Sequence, residues 1–430
     1  MDTLILQRSG PLHGTVQISG AKNAALPIMA ACLLTEEPVV LEGVPRVTDV
    51  ATMADILRRL GVVVQQDASR LTIDPNHYTG VTAPYELVSL MRASICVFGP
   101  LLARRRRARV SMPGGCVIGP RPIDLHLKGL QALGAAIEIE HGDIVATTAG
   151  LRGTTVHLAG AFGSSVLATA NVMMAATVAS GATVIEHAAC EPEVVDLANF
   201  LVAMGARISG QGTPVIQIDG VTELHGARYR VIPDRIEGGT LMIATAALGG
   251  DVTLQGARSD HLGALVETLA AASVDIETGS SRSLGRRTND GLLRVRSSGR
   301  LRGVEVTTLP FPGFPTDLQA QMIAMMAVSD GVSVMTEKIY PERFMHVPEL
   351  RRMGAQITRE GPSAIIKGVG RLSGAPVTAS DLRASAALII AGLVADNTTE
   401  LRGVDHLDRG YEQLEQKLSS LGASIRREAR

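Results

Sequence analysis

One short pattern occurs six times along the 430 residues and limits the fold more than any other feature. An apolar helix end runs into Leu-Gly-Ala or a variant and then into an alternating strand. The copies are Leu57-Arg-Arg-Leu-Gly61, Leu130-Gln-Ala-Leu-Gly134, Leu201-Val-Ala-Met-Gly205, Leu269-Ala-Ala-Ala-Ser273, Leu350-Arg-Arg-Met-Gly354 and Leu418-Ser-Ser-Leu-Gly422. Successive copies stand 73, 71, 68, 81 and 68 residues apart. A glycine after the last helical turn can take the left-handed backbone that ends a helix, and five of the six copies carry it there. Ser273 breaks the pattern, which leaves its copy open to a different ending.

Each copy also holds an earlier, strongly apolar helix with a polar start, beginning near Lys22, Arg92, Ser165, Ile236, Asp317 and Asp381. Helices apolar nearly all round must be buried. Short alternating strands such as Val39-Val-Leu-Glu42 and Thr183-Val-Ile-Glu186 follow them. The unit is therefore strand, buried helix, strand, amphipathic helix, strand. A spacing near 70 residues is long for a solenoid, so closed groups of three units fit better. The expectation is an α/β chain of two inside-out, barrel-like domains with helices within and sheets facing water. One domain spans 22–232; the other takes 1–21 plus 233–430, with an active site in the cleft between them. The chain's length also favours two cores.

Chemistry is expected where the buried helices begin, because their unpaired N–H groups and positive dipole ends suit anions. The residues there include Lys22, Asn23, Arg92, Ser165, Asp317 and Arg383. Capping accounts for serine and aspartate at such positions, but not for lysine or arginine, whose charge opposes the dipole. A second feature is the loop Ser111-Met-Pro-Gly-Gly-Cys116-Val-Ile-Gly-Pro-Arg121-Pro-Ile-Asp124, whose glycines and prolines exclude a regular helix or central strand. It displays one thiol near an arginine that could favour the thiolate or hold an anion. An ordinary surface turn remains the alternative from the loop alone.

With 41 basic against 42 acidic residues there is no net field to draw nucleic acid or an anionic membrane. The run Arg104 to Arg107 reads as a solvated face, since aromatic residues are 3% and Trp is absent. The four cysteines show no metal-binding spacing, and Cys32 and Cys96 fall in apolar helical stretches as inert thiols. The N-terminus lacks a signal-peptide pattern and no uninterrupted apolar run is long enough to span a bilayer, which reads as a cytoplasmic protein.

Seven ordered motifs then resemble one family from end to end. They are Ile18-Ser-Gly-Ala-Lys22-Asn23, the Cys116 loop through Asp124-Leu125-His126, Pro233-Asp-Arg-Ile-Glu237, Phe314-Pro-Thr-Asp317, Arg343-Phe-Met-His346, Asp381-Leu-Arg383 and Asp408-Arg409-Gly-Tyr411. The chain resembles the UDP-N-acetylglucosamine 1-carboxyvinyltransferases. That resemblance implies enolpyruvyl transfer from phosphoenolpyruvate to the 3-hydroxyl of UDP-N-acetylglucosamine, the first committed step of peptidoglycan synthesis. It implies no cofactor or metal, no obligate protein partner and no membrane insertion. Similarity makes Cys116 the proton donor to the methylene carbon and Asp317 the group that positions or deprotonates the sugar hydroxyl. Lys22, Arg121 and Arg409 would hold the phosphate, with Asn23 nearby, and Arg343 and Arg383 would lie on the carboxylate side. Asn23, Arg92, Arg121, Pro122, Ile123, Asp124, Leu125, Ser165, Val166, Asp317 and Ile339 would contact the sugar nucleotide.

Departures from the family pattern are Gly163 and Leu167, where lysine and glycine are usual, and Thr48, where lysine is frequent. The stretch Ser280 to Asn289 reads as an enlarged surface hairpin in the longest repeat interval. A transferase acting on shikimate 3-phosphate would share the repeats and the donor, but does not use a cysteine on such a loop. A catalytically weak paralogue that binds the sugar nucleotide would be favoured only by the altered 163–167 segment.

Overall fold

All six repeat ends close their helices with one motif. Gly61, Gly134, Gly205, Gly354 and Gly422 take φ of 99°, 98°, 101°, 93° and 101°. In the first copy Gly61 N–H donates to Arg58 C=O and Val62 N–H to Leu57 C=O, each at 3.0 Å. The same two bonds recur at Ser273, from Ser273 N–H to Ala270 C=O and from Val274 N–H to Leu269 C=O, both 3.0 Å. Its φ is 74°. Ser273 therefore does not end its helix differently: the hydrogen bonds that satisfy the last carbonyls force a non-glycine residue into the left-handed region.

The computed structural model describes residues 2–112, 123–161, 163–283 and 286–429. The chain divides into two bodies, residues 20–232 and residues 2–19 with 233–429, among those described. In the first body the buried helices are α1 (Lys22–Ala31), α2 (Phe98–Arg105) and α3 (Val166–Ala176). In the second they are α4 (Arg235–Leu248), α5 (Gln319–Met326) and α6 (Leu382–Val394). The helix expected from Arg92 starts as a 3-10 turn, Arg92–Val97, and becomes regular only at Phe98. Two separate apolar clusters form the cores, one in each body.

Among the described residues, six four-stranded sheets surround these helices, three to each body. Each has a leading edge strand parallel to its neighbour, followed by two antiparallel pairings. Thus Arg228–Arg230 runs parallel to Val39–Glu42, which pairs with Arg70–Asp74 and, beyond it, Val63–Asp67. Strands alternate as their sequences demand: in Arg70–Asp74, Leu71 and Ile73 are buried and the residues between them are not. The sheets thus bury one face on helices and present the other to water.

Each body is closed by a strand remote in sequence. Arg228–Arg230 supplies the leading strand of the first repeat. In the second body Leu12–Gln17 leads the sheet of Gly250–Gln255, and Thr3–Leu6 completes the sheet of Thr399–Arg402. Closure in this way leaves each three-repeat group without a solvated repeat end. The long interval after Ser273 is an antiparallel hairpin, Asp275–Ser283 with Arg286–Ser297, carrying a register shift between Thr278 and Ser280.

The first half of the basic run is tied down, while Arg106 and Arg107 are exposed. Arg104 pairs with Glu36 at 2.7 Å, and Arg105 lies over the Tyr78 ring at 4.0 Å.

Candidate active site

In the second body, two repeats bring three charged side chains to a common point, Asp317 and Arg343 from one and Arg383 from the next. Asp317 stands in a 3-10 turn, Thr316–Leu318, ahead of α5. Arg383 is near the start of α6, where Asp381 caps the helix by accepting from Arg383 N–H at 2.8 Å and Ala384 N–H at 3.1 Å. Arg343 precedes the short helix Val347–Arg352. Arg343 Nη1 donates to Asp317 Oδ1 at 2.9 Å and to Thr316 Oγ1 at 3.0 Å; Arg383 Nη2 donates to Asp317 Oδ2 at 2.8 Å.

The two arginine side chains are almost wholly buried, 7% and 4% exposed, whereas that of Asp317 retains 25%. Burial pushes the Asp317 carboxyl up, but the charges and hydrogen bonds of Arg383 and Arg343 outweigh it and hold the carboxyl well below its usual range. As it stands Asp317 is an ionised acceptor and a weak base. Arg383 Nη1, also buried, has no hydrogen-bond partner among the described residues, an orphan donor suited to an incoming anion. Behind Arg383 lies the Tyr411 ring, 5.3 Å away. Tyr411 Oη meets Thr240 Oγ1 at 2.8 Å and accepts from Gln321 Nε2 at 3.0 Å.

Arg409 is half-buried and directly follows the helical turn Asp405–Asp408. Its neighbour Asp408 takes a two-pronged pair from Arg427, at 2.8 and 2.6 Å. The first residue of the Asp408-Arg409-Gly-Tyr411 motif thus anchors the chain, and Tyr411 buttresses Arg383. Ile339 lies beyond the strand Val332–Thr336, with its N–H donated to Glu337 Oε1 at 2.8 Å.

In the first body, Lys22 opens α1 and is buried, with Nζ on Asp49 Oδ2 at 2.9 Å. That carboxylate offsets the cost of a cation at a helix start. Asn23 and Arg92 are half-buried. Ser165 is the cap of α3, its Oγ accepting from Ala168 N–H at 3.3 Å, with Val166 following. Gly163, at φ 96°, belongs to a short ribbon pairing 163–164 with 159–160. Of the 121–125 segment, Ile123 is buried, Leu125 is half-buried and Asp124 is exposed at the start of the helix Asp124–Ala132. Cys116, Arg121 and Pro122 lie outside the described residues.

Sequence reasoning gives His126 no role of its own. It is buried, and its Nδ1 accepts from Asn171 Nδ2 at 2.9 Å. Asn171 also donates to Ile95 C=O at 2.9 Å and accepts from Gly99 N–H at 2.8 Å, so its amide is fully used. A Cβ on Gly99 would fall 2.4 Å from the Asn171 carbonyl oxygen, which is why glycine stands where α2 and α3 meet. Burial, then the charge of Arg92, pushes the His126 imidazole down to about 3. Neutral Cys32 and Cys96 are similarly inert: burial raises both thiols, Cys96 to about 12.

The EPSP synthase (3-phosphoshikimate 1-carboxyvinyltransferase) family model matches residues 6–418. Among solved structures, an enolpyruvyl transferase, NikO, from Streptomyces tendae superposes with a TM-score of 0.87 at 24% identity, covering 99% of this chain and 98% of its own. EPSP synthase from Acinetobacter baumannii gives 0.76 at 18% identity, with both chains fully covered. The fold is that of the enolpyruvyl transferases.

Curated relatives narrow the class. UDP-N-acetylglucosamine 1-carboxyvinyltransferase of Methylacidiphilum infernorum is 53% identical over 99% of both chains, and that of Gluconobacter oxydans 51% identical over 99% of both. The chain belongs to the UDP-N-acetylglucosamine 1-carboxyvinyltransferase family. No helix among the described residues is long and apolar enough to cross a membrane, and no group of three or more His, Cys, Asp or Glu among them is placed to hold a metal ion.

Proposed function

We propose that the chain transfers enolpyruvate from phosphoenolpyruvate to the 3-hydroxyl of UDP-N-acetylglucosamine and releases phosphate, the first committed step of peptidoglycan synthesis. A cytoplasmic setting belongs to the same proposal. The observation that carries it is the Asp317 carboxylate held ionised by Arg343 and Arg383, beside a buried guanidinium N–H left open for an anion.

In the addition step the sugar oxygen bonds to C2 of the donor as its hydroxyl proton leaves, and C3 gains a proton. In the elimination step C3 loses a proton while the C2–O bond to phosphate breaks. There is no net redox change, and no cofactor is assigned. Cys116 is the proton donor to C3. Lys22, Arg121 and Arg409 take the phosphate, with Asn23 beside them, and Arg343 and Arg383 take the carboxylate. Each charge-assisted hydrogen bond also steadies charge growing on the leaving group.

Asn23, Arg92, Arg121, Pro122, Ile123, Asp124, Leu125, Ser165, Val166 and Ile339 receive the sugar nucleotide, with Asp317 at its 3-hydroxyl. For Asp317, doubly paired and weakly basic, an acceptor that orients the hydroxyl fits better than a base that removes its proton.

The test is phosphate release, which should require both substrates. Fosfomycin, an epoxide that resembles the donor, should add mass to the Cys116 peptide and stop release. If Cys116→Ser keeps full turnover at neutral pH, Cys116 is not the proton donor. Sugar-nucleotide binding with no phosphate release would instead indicate a binding paralogue.

A further inference from the structure

Glu337 is fully buried, and its carboxylate is filled by four hydrogen-bond donors, none of them from a basic side chain. Oε1 accepts from Thr308 Oγ1 at 2.6 Å, Ile339 N–H at 2.8 Å and Tyr340 N–H at 2.9 Å; Oε2 accepts from Thr316 Oγ1 at 2.9 Å. Burying a carboxyl group is costly unless its lone pairs are used, and here four hydrogen bonds use them. A fifth bond fixes the strand end itself, from Thr308 N–H to Thr336 C=O at 2.9 Å.

These bonds have a direction. Thr316 has one hydroxyl hydrogen, and it is committed to Glu337. Thr316 Oγ1 therefore has only lone pairs to offer Arg343, whose Nη1 donates to it at 3.0 Å while the same nitrogen holds Asp317. Glu337 thus sets the polarity of the chain Glu337, Thr316, Arg343, Asp317. Through Oε1 it also fixes the backbone that carries Ile339. One buried side chain ties together the turn bearing Asp317 and the segment bearing Ile339.

We infer that Glu337 is a positioning residue for the transfer reaction: through Thr316 it fixes the orientation of Arg343 and Asp317, and through two backbone N–H groups it fixes the Ile339 segment. This rests on the proposed enolpyruvyl transfer. Fully buried, Glu337 acts through Thr316 and the backbone and not on the reacting atoms.

The perturbation is Glu337→Gln, which keeps shape and volume. The amide oxygen can serve the three donors at Oε1, but its NH2 then faces Thr316 Oγ1, whose hydrogen must turn away, toward Arg343 or Asp317. Misplacing reacting groups by fractions of an ångström to 1 Å costs up to about a hundredfold. We expect kcat to fall roughly tenfold to a hundredfold and KM for phosphoenolpyruvate to rise, with a melting temperature within a few degrees of wild type. Thr316→Val removes the same link from its other end and should reproduce the kcat loss. The double variant should be no worse than either single one, because both act through one hydrogen-bonded chain.

Wild-type kcat and KM values in a folded Glu337→Gln protein overturn the inference. So do losses that multiply in the double variant. Should Glu337→Gln not fold, full turnover in Thr316→Val overturns it equally. Wild-type protein that releases no phosphate from the two substrates refutes the reaction itself, and the positioning role with it. Where the wild type turns over, the variants test Glu337 alone.

Discussion

Replacing Asp317 by asparagine removes one charge and almost no volume from the junction of Asp317, Arg343 and Arg383. The carboxylate receives one charge-assisted bond from each guanidinium, at 2.9 and 2.8 Å. The amide oxygen of the introduced asparagine could keep one; its NH2 would face the other arginine donor. Removing one partner of a buried pair costs about 3–5 kcal/mol. Since a quarter of Asp317 meets solvent, the low end, about 3 kcal/mol, is expected.

For a body of this size that lowers the melting temperature by roughly 6–12 °C. Circular dichroism reads it, because the chain has no Trp to report by fluorescence. Turnover should fall by up to about a hundredfold with both substrates saturating, the cost of losing the group that orients the hydroxyl. The depressed carboxyl adds a pH signature: its stabilisation is present above the ordinary aspartate value near 3.9 and lost only as pH falls through the depressed one. The gap between wild type and Asp317→Asn should therefore stay constant from pH 8 to 5. A melting temperature within about 2 °C of wild type, or a gap that closes between pH 8 and 5, refutes the reasoning.

Ser273→Gly should stabilise the second body by up to about 1 kcal/mol: it relieves a left-handed residue worth about 1–2 kcal/mol and gives back part of that as unfolded-chain entropy. A lower urea midpoint for the glycine variant would show that Ser273 is not strained. His126 is held neutral, down to about 3, so its contribution is complete above the unfolded value near 6.5 and is lost as pH falls from there toward 3. His126→Gln keeps an acceptor for Asn171 and does not titrate. The stability difference between the two proteins should shrink by up to about 1.4 kcal/mol per pH unit below 6.5, and a difference that is flat from pH 7 to 5 in urea titrations counts against the buried neutral imidazole.

Much of the site was legible residue by residue and little of it as geometry. Lys22, Asp317, Arg343 and Arg383 stand in recognisable motifs, yet Arg343 and Arg383 are 26 and 66 residues from Asp317 and belong to other segments. Glu337 reads in sequence as an ordinary strand-end glutamate; only the return of Thr308 and Thr316 beside it shows a buried carboxylate. Tyr411 reads as the tail of a motif, and packing makes it the support of Arg383.

The sequence by itself determined the repeat, its period, the buried helices and the five glycine helix endings, because these are local: an apolar surface all round, or a residue tolerant of positive φ, acts within a few residues of itself. Tertiary structure decided which charges meet. The charge state of Asp317, the orphan N–H of Arg383 and the neutrality of His126 all follow from burial and from partners tens of residues away. Electrostatics in a desolvated site depends on distances of a few ångströms, and only the closed repeats set those distances.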